Sequence, residues 1–331
     1  MTILLLGGSG LLGHNVLHHL LQQGYAVHAL LRNFSALHAD GFPHADRLAL
    51  FHGSLLNDAA LAAAAAGCDA IVNCAGVTDM SLLHYDDYLP VNSLLCTRLE
   101  SLMEAQGITR LVHTSTANTI GYGAPDHCAD ERSPMRQPFI SSYYAGSKAE
   151  GERHLLVAAA RHPQWHIVIV NPGFMIGAFD AKPSSGRLLL AAYRLPIMFV
   201  PRGGKSFIHV SDAATAIVNA IDHGVNGSRY LLTGANLTLL QLYRLQAEAC
   251  GYRQCLVPLP DGLLLAAGRL GDLLRCCGLR TQLSSRNTRQ LIVREYYDNS
   301  RAIAELHMPQ TPIAQAVADF HAWRQKQQSH G

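Results

Sequence analysis

Short apolar runs alternate with amphipathic stretches through the first half of this 331-residue chain. The runs at residues 3–6, 26–31, 48–52, 70–74, 110–114 and 166–170 have the length and apolar density of strands covered on both faces. The stretches between them predict helices starting near Leu11, Asp58, Val91 and Tyr143. An alanine run at 59–66 fits the second of these, since Asn57 or Asp58 can cap its start and Gly67 can end it. Strand–helix alternation of this kind predicts an α/β fold, a doubly wound parallel sheet with right-handed crossovers.

Beyond Pro172, glycine- and proline-rich segments at 173–186 and 196–204 interrupt shorter elements, with no long linker. A strand at 207–210, a helix at 212–223 and a strand at 228–232 repeat the strand–helix–strand rhythm. The reading is a first domain at 1–171 and a smaller C-terminal lobe at 172–331. The two interleave, because about 205–233 return to the first sheet.

Composition narrows the classes. A net charge of +2 without blocks of like charge argues against a nucleic-acid surface. Eight cysteines lack CxxC pairs, the only close pair being Cys276 and Cys277, which suits buried thiols in a reducing compartment. His14 and His18 lie one helical turn apart without a third ligand, so a plain helix surface is expected there and no metal. Met1 leads straight into the first apolar run, with no basic leader pattern, and the expected location is cytoplasmic. The apolar stretch 263–279 is broken by Arg269, Asp272 and Arg275, so it predicts a buried or partly exposed amphipathic helix and no stable membrane insertion. Contact with a lipid-like substrate or a membrane surface is the lesser alternative for that stretch.

Chemistry enters at Gly7-Gly8-Ser9-Gly10-Leu11-Leu12-Gly13, between the first strand and the first helix. Gly7 permits a tight turn, Gly10 a close backbone approach to a pyrophosphate, and Gly13 close helix–sheet packing. The N–H groups at the helix start, including those of Leu11 and Leu12, then face the phosphates. This is a Rossmann-type nucleotide turn. On the helix from Tyr143, Tyr144 and Lys148 are four residues apart and share a face. A lysine ammonium beside a phenol favours the phenolate, moving a group of ordinary pKa about 10 toward acid/base strength. Tyr143 has Ser147 as its partner at that spacing, so Tyr144 is the candidate.

The glycine spacing GxxGxxG resembles the short-chain dehydrogenase/reductase superfamily, and the length points to its extended branch. The resemblance spans nearly the whole chain. It implies a triad of Thr116, Tyr144 and Lys148, with Thr114 and Ser115 beside Thr116 at the end of the fifth strand. It further implies that Asn73, Ala75 and Gly76 line the adenine-ribose side and that Asp58 stands near the adenine or caps its helix. Asn92 would support the active-site helix, and Asn171 and Gly173 would belong to a loop closing over the nicotinamide. An acid at the end of the second strand would select NAD; this chain has Arg32, which favours NADP over NAD. Thr78, Thr116, Tyr144 and Phe174 are the candidate substrate contacts, within the segments 78–88, 119–122, 174–179 and 195–207.

The catalytic threonine of the nucleotide-sugar dehydratases is followed by Asp-Glu; here Ala117 and Asn118 follow. Epimerases carry Arg-Asp before the aromatic strand of the second lobe, whereas this chain has Lys205-Ser206-Phe207. The segment 171–186 looks more like dihydroflavonol-4-reductase and 3β-hydroxysteroid dehydrogenase relatives. The resemblance therefore implies an NAD(P)H-dependent carbonyl reductase or alcohol dehydrogenase for apolar or aromatic ketones and alcohols, and a homodimer. A nucleotide-sugar epimerase with the same triad and a non-catalytic NADP(H) sensor are the alternatives.

Overall fold

The computed structural model describes residues 1–34, 37, 42–181 and 185–329. The chain runs through β1 (Thr2–Leu6), α1 (Leu11–Gln22), β2 (Ala26–Leu31), β3 (Leu48–His52), α2 (Asp58–Ala65), β4 (Ala70–Asn73), α3 (Leu89–Asn92), α4 (Leu94–Gln106), β5 (Arg110–Thr114), α5 (Tyr143–Arg161) and β6 (His166–Pro172). There follow β7 (Phe174–Ile176), α6 (Gly186–Ala192), β8 (Ile197–Val200), β9 (Gly204–His209), α7 (Val210–His223), β10 (Ser228–Leu232), β11 (Ala235–Thr238) and α8 (Leu239–Ala249). The C-terminal part comprises β12 (Cys255–Pro258), α9 (Asp261–Cys276), α10 (Ser285–Gln290), β13 (Arg294–Glu295), α11 (Ser300–Leu306) and α12 (Ile313–Ser329).

Seven strands form one wholly parallel sheet in the order β10-β6-β5-β4-β1-β2-β3. The chain works outward from β1 through β2 to β3, then returns to place β4 on the other side of β1. The crevice above the carboxyl ends of β1 and β4 is therefore the topological switch point, where such sheets take ligands. Period-two alternation explains the packing. Ile3 and Leu5 of β1 join the layer of α1, α7 and α11, while Leu4 and Leu6 join the layer of α2, α4 and α5. A separate core of Ile176, Phe207, Leu242, Tyr243 and Phe320 holds the second lobe.

Four sequence readings need correction. β9 does not return to the large sheet; it pairs with β7, β11 and β13, while α7 packs on α1 and β10 pairs with β6. The helix near Val91 is two pieces, broken at Ser93 into α3 and α4. His14 is no plain surface residue: it is buried, its ring 4.0 Å from that of Phe179 and 4.9 Å from that of Phe42. Of the thiols, Cys255, Cys276 and Cys277 are exposed. No helix of the described residues is long and apolar enough to cross a membrane. Among the same residues no cluster of His, Cys, Asp or Glu could hold a metal ion.

One buried group sets a pH dependence. Asn73 Oδ1 accepts from the Ala75 N–H at 3.0 Å, which turns its amide Nδ2 toward His113 Nδ1 at 3.1 Å. The imidazole must accept there, so it is neutral, and burial holds it well below its ordinary 6.5, helped by Lys148. The unfolded chain gains a proton near pH 6.5 that the folded chain refuses, so this contribution to stability is complete above 6.5 and is lost as pH falls. Unfolding free energy is expected to drop by up to about 1.4 kcal/mol per pH unit from this residue. Denaturant titrations on either side of that pH should show a shallower dependence in His113→Asn; equal dependences would refute the assignment.

Candidate active site

The glycine turn is held by close packing. Gly7 has φ +81°, and a β-carbon there would lie 2.6 Å from the Ala75 nitrogen, so only glycine lets β1 abut the turn after β4. A β-carbon on Gly13 would meet the Gly7 carbonyl oxygen at 2.1 Å. At Gly10 the nearest atom would be that same oxygen at 3.5 Å, leaving its crevice side open to a close-approaching group. The first helical bond of α1 is His14 N–H to the Gly10 carbonyl, 2.9 Å. The preceding N–H groups of Leu11, Leu12 and Gly13 have no side-chain cap, and no acidic residue sits in the first turn. Open donors and a positive dipole end fit a pyrophosphate.

The turn after β4 is shaped by two asparagines. Asn73 is buried and braces Ala75 from inside, so it supports the wall with its side chain turned away from the crevice. Asn92 clamps Val77, accepting from its N–H at 2.8 Å and donating to its carbonyl at 3.0 Å, and also donates to Ser147 of α5 at 3.0 Å. Gly76 and Thr78 are left exposed on the outer side of this clamp.

Lys148 reaches under the turn. Its Nζ donates to the carbonyls of Thr114 at 2.8 Å and Ala75 at 3.2 Å, joining β5 to the β4 turn. An ammonium has three donors, so one remains beside Gly76, whose added β-carbon would stand 3.1 Å from Nζ. Burial pushes Lys148 below its ordinary 10.5. Tyr144 is pushed above 10 by burial, with the hydroxyl of Thr116 hydrogen-bonded to it and pulling it back. The structure thus differs from the sequence reading: Thr116, not Lys148, opposes the rise. Ser115 is buried with its Oγ unpartnered among the described residues, and Thr114 Oγ1 rests on Cys74 Sγ at 3.7 Å.

Glu152, four residues beyond Lys148, escaped the sequence reading although the Tyr144–Lys148–Glu152 spacing announces it. It is buried and accepts from Thr119 Oγ1 at 2.6 Å and Asn171 Nδ2 at 2.7 Å. Asn171 Nδ2 also donates to the Thr116 carbonyl at 3.1 Å. Asn171 therefore anchors the segment carrying Thr116. Gly173 serves packing, since a β-carbon there would lie 2.6 Å from the Ser206 carbonyl oxygen.

Tyr144 lines a small open cleft whose walls include Met80, Leu82, Tyr88, Tyr143, Arg275 and Arg286. Of the four segments expected to meet substrate, only 78–88 reaches it; 119–122, 174–179 and 195–207 do not, and Phe174 packs edge-on against Phe207. The remaining wall comes from the α9–α10 region, which sequence spacing could not place. Arg275 donates to the carbonyl of Leu82 at 2.6 Å and that of Thr281 at 2.9 Å, and Arg286 lies 3.7 Å over the Tyr143 ring. Arg32 is exposed at the end of β2, with no ion pair to a described residue. Asp58 contacts Arg98, and the cap of α2 is Asn57, which accepts from Ala60 N–H. Residues 182–184, part of the segment compared with dihydroflavonol-4-reductases, lie outside the described residues.

Known proteins resemble this chain over most of its length. Residues 3–232 match the model of the NAD dependent epimerase/dehydratase family. A Synechocystis sp. protein with the provisional name dihydroflavonol 4-reductase is 30% identical, the match covering 98% of this chain and 94% of that protein. Sterol demethylase protein B of Methylococcus capsulatus is 28% identical over 98% of both chains. The crystal structure of gox2253 superposes with a TM-score of 0.82 at 23% identity over 98% of both chains, a likeness of fold.

Proposed function

This chain belongs to the NAD dependent epimerase/dehydratase family, and from that premise we propose that it is a carbonyl reductase or alcohol dehydrogenase preferring NADP, acting on an apolar or aromatic ketone or alcohol. The observation that carries the reading is the Tyr144 phenol, hydrogen-bonded by Thr116, on a helix that lines a cleft in which Met80, Leu82, Tyr88 and Tyr143 stand beside the polar Ser142, Arg275, Ser284, Arg286 and Asn287. A bound nicotinamide supplies or takes the hydride at the carbon. The chain supplies the rest. Tyr144 gives its proton to the carbonyl oxygen, or takes it back from the alcohol. The Thr116 hydroxyl holds that oxygen, and the third Lys148 donor suits a ribose hydroxyl. The Gly7–Gly13 turn and the start of α1 would hold the pyrophosphate, and the exposed Arg32 suits a 2′-phosphate.

Two positive groups of the second lobe also favour a reductase over a nucleotide-sugar epimerase. Lys205 is paired with the buried Glu295, and Arg275 is engaged by backbone carbonyls, so neither is offered to a diphosphate. The outward-facing Leu94 of α4 and Val157 of α5 suit a homodimer through those helices. The test is a screen of NADPH and NADH oxidation against aromatic, steroid-like, long-chain and sugar-nucleotide carbonyls, with Tyr144→Phe as blank. Turnover of an apolar ketone with NADPH preferred is expected. Turnover confined to sugar nucleotides, or cofactor binding without turnover, would overturn the reading.

A further inference from the structure

Helix α9 is mounted with its apolar side out. Its buried positions are Gly268 and Gly271. A β-carbon on Gly268 would lie 2.3 Å from Thr288 Oγ1, and one on Gly271 2.2 Å from the Leu283 carbonyl oxygen. The helix is therefore seated on the following segment through its smallest residues. Leu263, Leu270, Leu273 and Leu274 fall together on the opposite side at helical spacing, and are 63%, 56%, 66% and 38% exposed. Leu279, just past the helix, is 55% exposed. An amphipathic helix of a water-soluble surface buries such a stripe, and an exposed one marks an interaction face.

The charges of the chain segment that carries the stripe bear on what it meets. Between Gly251 and Arg294 there are seven arginines (253, 269, 275, 280, 286, 289 and 294) and two acids, Asp261 and Asp272. Seven minus two is an excess of +5, against +2 for the whole chain. Arg269, next to Leu270, and Arg280, next to Leu279, are exposed, and Arg280 is near enough to Asp79 to help hold its carboxyl below the usual range. Asp272 is engaged by the Ser285 N–H at 3.0 Å. An isologous pairing of two copies through this face would bring like charges together. An anionic surface complements them.

We propose that α9 docks this chain on an anionic lipid bilayer, lying in the interface with its leucines in the acyl boundary and Arg269 and Arg280 at the headgroups. The helix lies on the membrane and does not span it. Arg275, on the same helix, ties α9 to the Leu82 carbonyl at the wall of the Tyr144 cleft, so the docked face and the cleft share one element. The proposal stands whatever the substrate is.

Flotation of the full chain with vesicles tests it, using phosphatidylcholine alone and phosphatidylcholine in which phosphatidylglycerol replaces about a third of the lipid. Binding to the anionic vesicles is expected to be at least about tenfold stronger than to the neutral ones, and to weaken in high salt. Leu270→Glu/Leu273→Glu and, separately, Arg269→Glu/Arg280→Glu should each lower it by about tenfold or more. Val225→Glu, at an exposed valine just past α7, should leave it unchanged. Unchanged thermal unfolding midpoints show that the variants are folded. Wild-type chain that fails to float with anionic vesicles overturns the proposal, and needs no variant. So does light scattering that shows Leu270→Glu/Leu273→Glu dissociating an oligomer without altering flotation, which would assign the face to a second copy.

Discussion

Tyr144→Phe is expected to lower reductive turnover by about 10²–10⁴-fold, the usual contribution of a positioned general acid. The change removes one oxygen and keeps the ring, so the wall and the glycine turn stay as they are, and dinucleotide affinity should hold within about twofold. Steady-state kinetics beside a fluorescence titration with NADPH would separate the two quantities. Because burial raises Tyr144 above 10, with Thr116 only partly opposing it, the cofactor-free phenol should remain protonated throughout the neutral range. The 295-nm phenolate absorbance that differs between the wild type and Tyr144→Phe should therefore appear above pH 10. Tyr143→Phe is the internal control. That ring lies beneath Arg286 and has Ser147 at the helical spacing where Tyr144 has Lys148. Turnover by Tyr144→Phe above a tenth of wild type would end the assignment of Tyr144 as the acid.

Gly13→Ala is expected to weaken dinucleotide binding by about ten- to a hundredfold and to lower stability by about 1–3 kcal/mol. Its new methyl group would stand 2.1 Å from the Gly7 carbonyl oxygen, a backbone atom that cannot swing aside. Relief requires α1 to move off the turn, and the N–H groups of Leu11 and Leu12 move with it. Gly10→Ala provides the contrast. Its β-carbon meets no protein atom closer than 3.5 Å, so it should cost little stability while still obstructing a pyrophosphate. Denaturant unfolding and NADPH titration of the two variants should thus diverge. Equal losses of stability would mean that the turn is not packed as described.

Local physics made much of this chain legible. The six strands at 3–6, 26–31, 48–52, 70–74, 110–114 and 166–170 recur as β1–β6 within two residues at either end. Burial leaves the apolar runs of β1, β2, β4, β5 and β6 no other place, β3 being the half-exposed edge strand, and the glycine turn follows directly from the first of them. The Tyr144–Lys148 face was readable because four residues make about one helical turn. Glu152 was readable by the same rule and was passed over, since a glutamate on a helix is ordinarily a solvated one. Asp58 could be weighed as a cap or a cofactor contact from its position alone. Arg98, which lies 40 residues away and meets it, could not be foreseen.

By itself, the sequence determined the parallel sheet, the dinucleotide turn and the alignment of Tyr144 with Lys148. Each depends on residues within a few positions of one another, where strand and helix periods dictate direction. The tertiary structure alone decided that β9 leaves the large sheet, that His14 is stacked on Phe179, and that Lys148 bonds the Thr114 and Ala75 carbonyls while Thr116 faces the phenol. It also decided which side of α9 faces out. A helical pattern shows that Leu263, Leu270, Leu273 and Leu274 share a stripe, but not whether that stripe is buried. Here Gly268 and Gly271 approach Thr288 and Leu283 more closely than any leucine could, and the leucines are left facing outward.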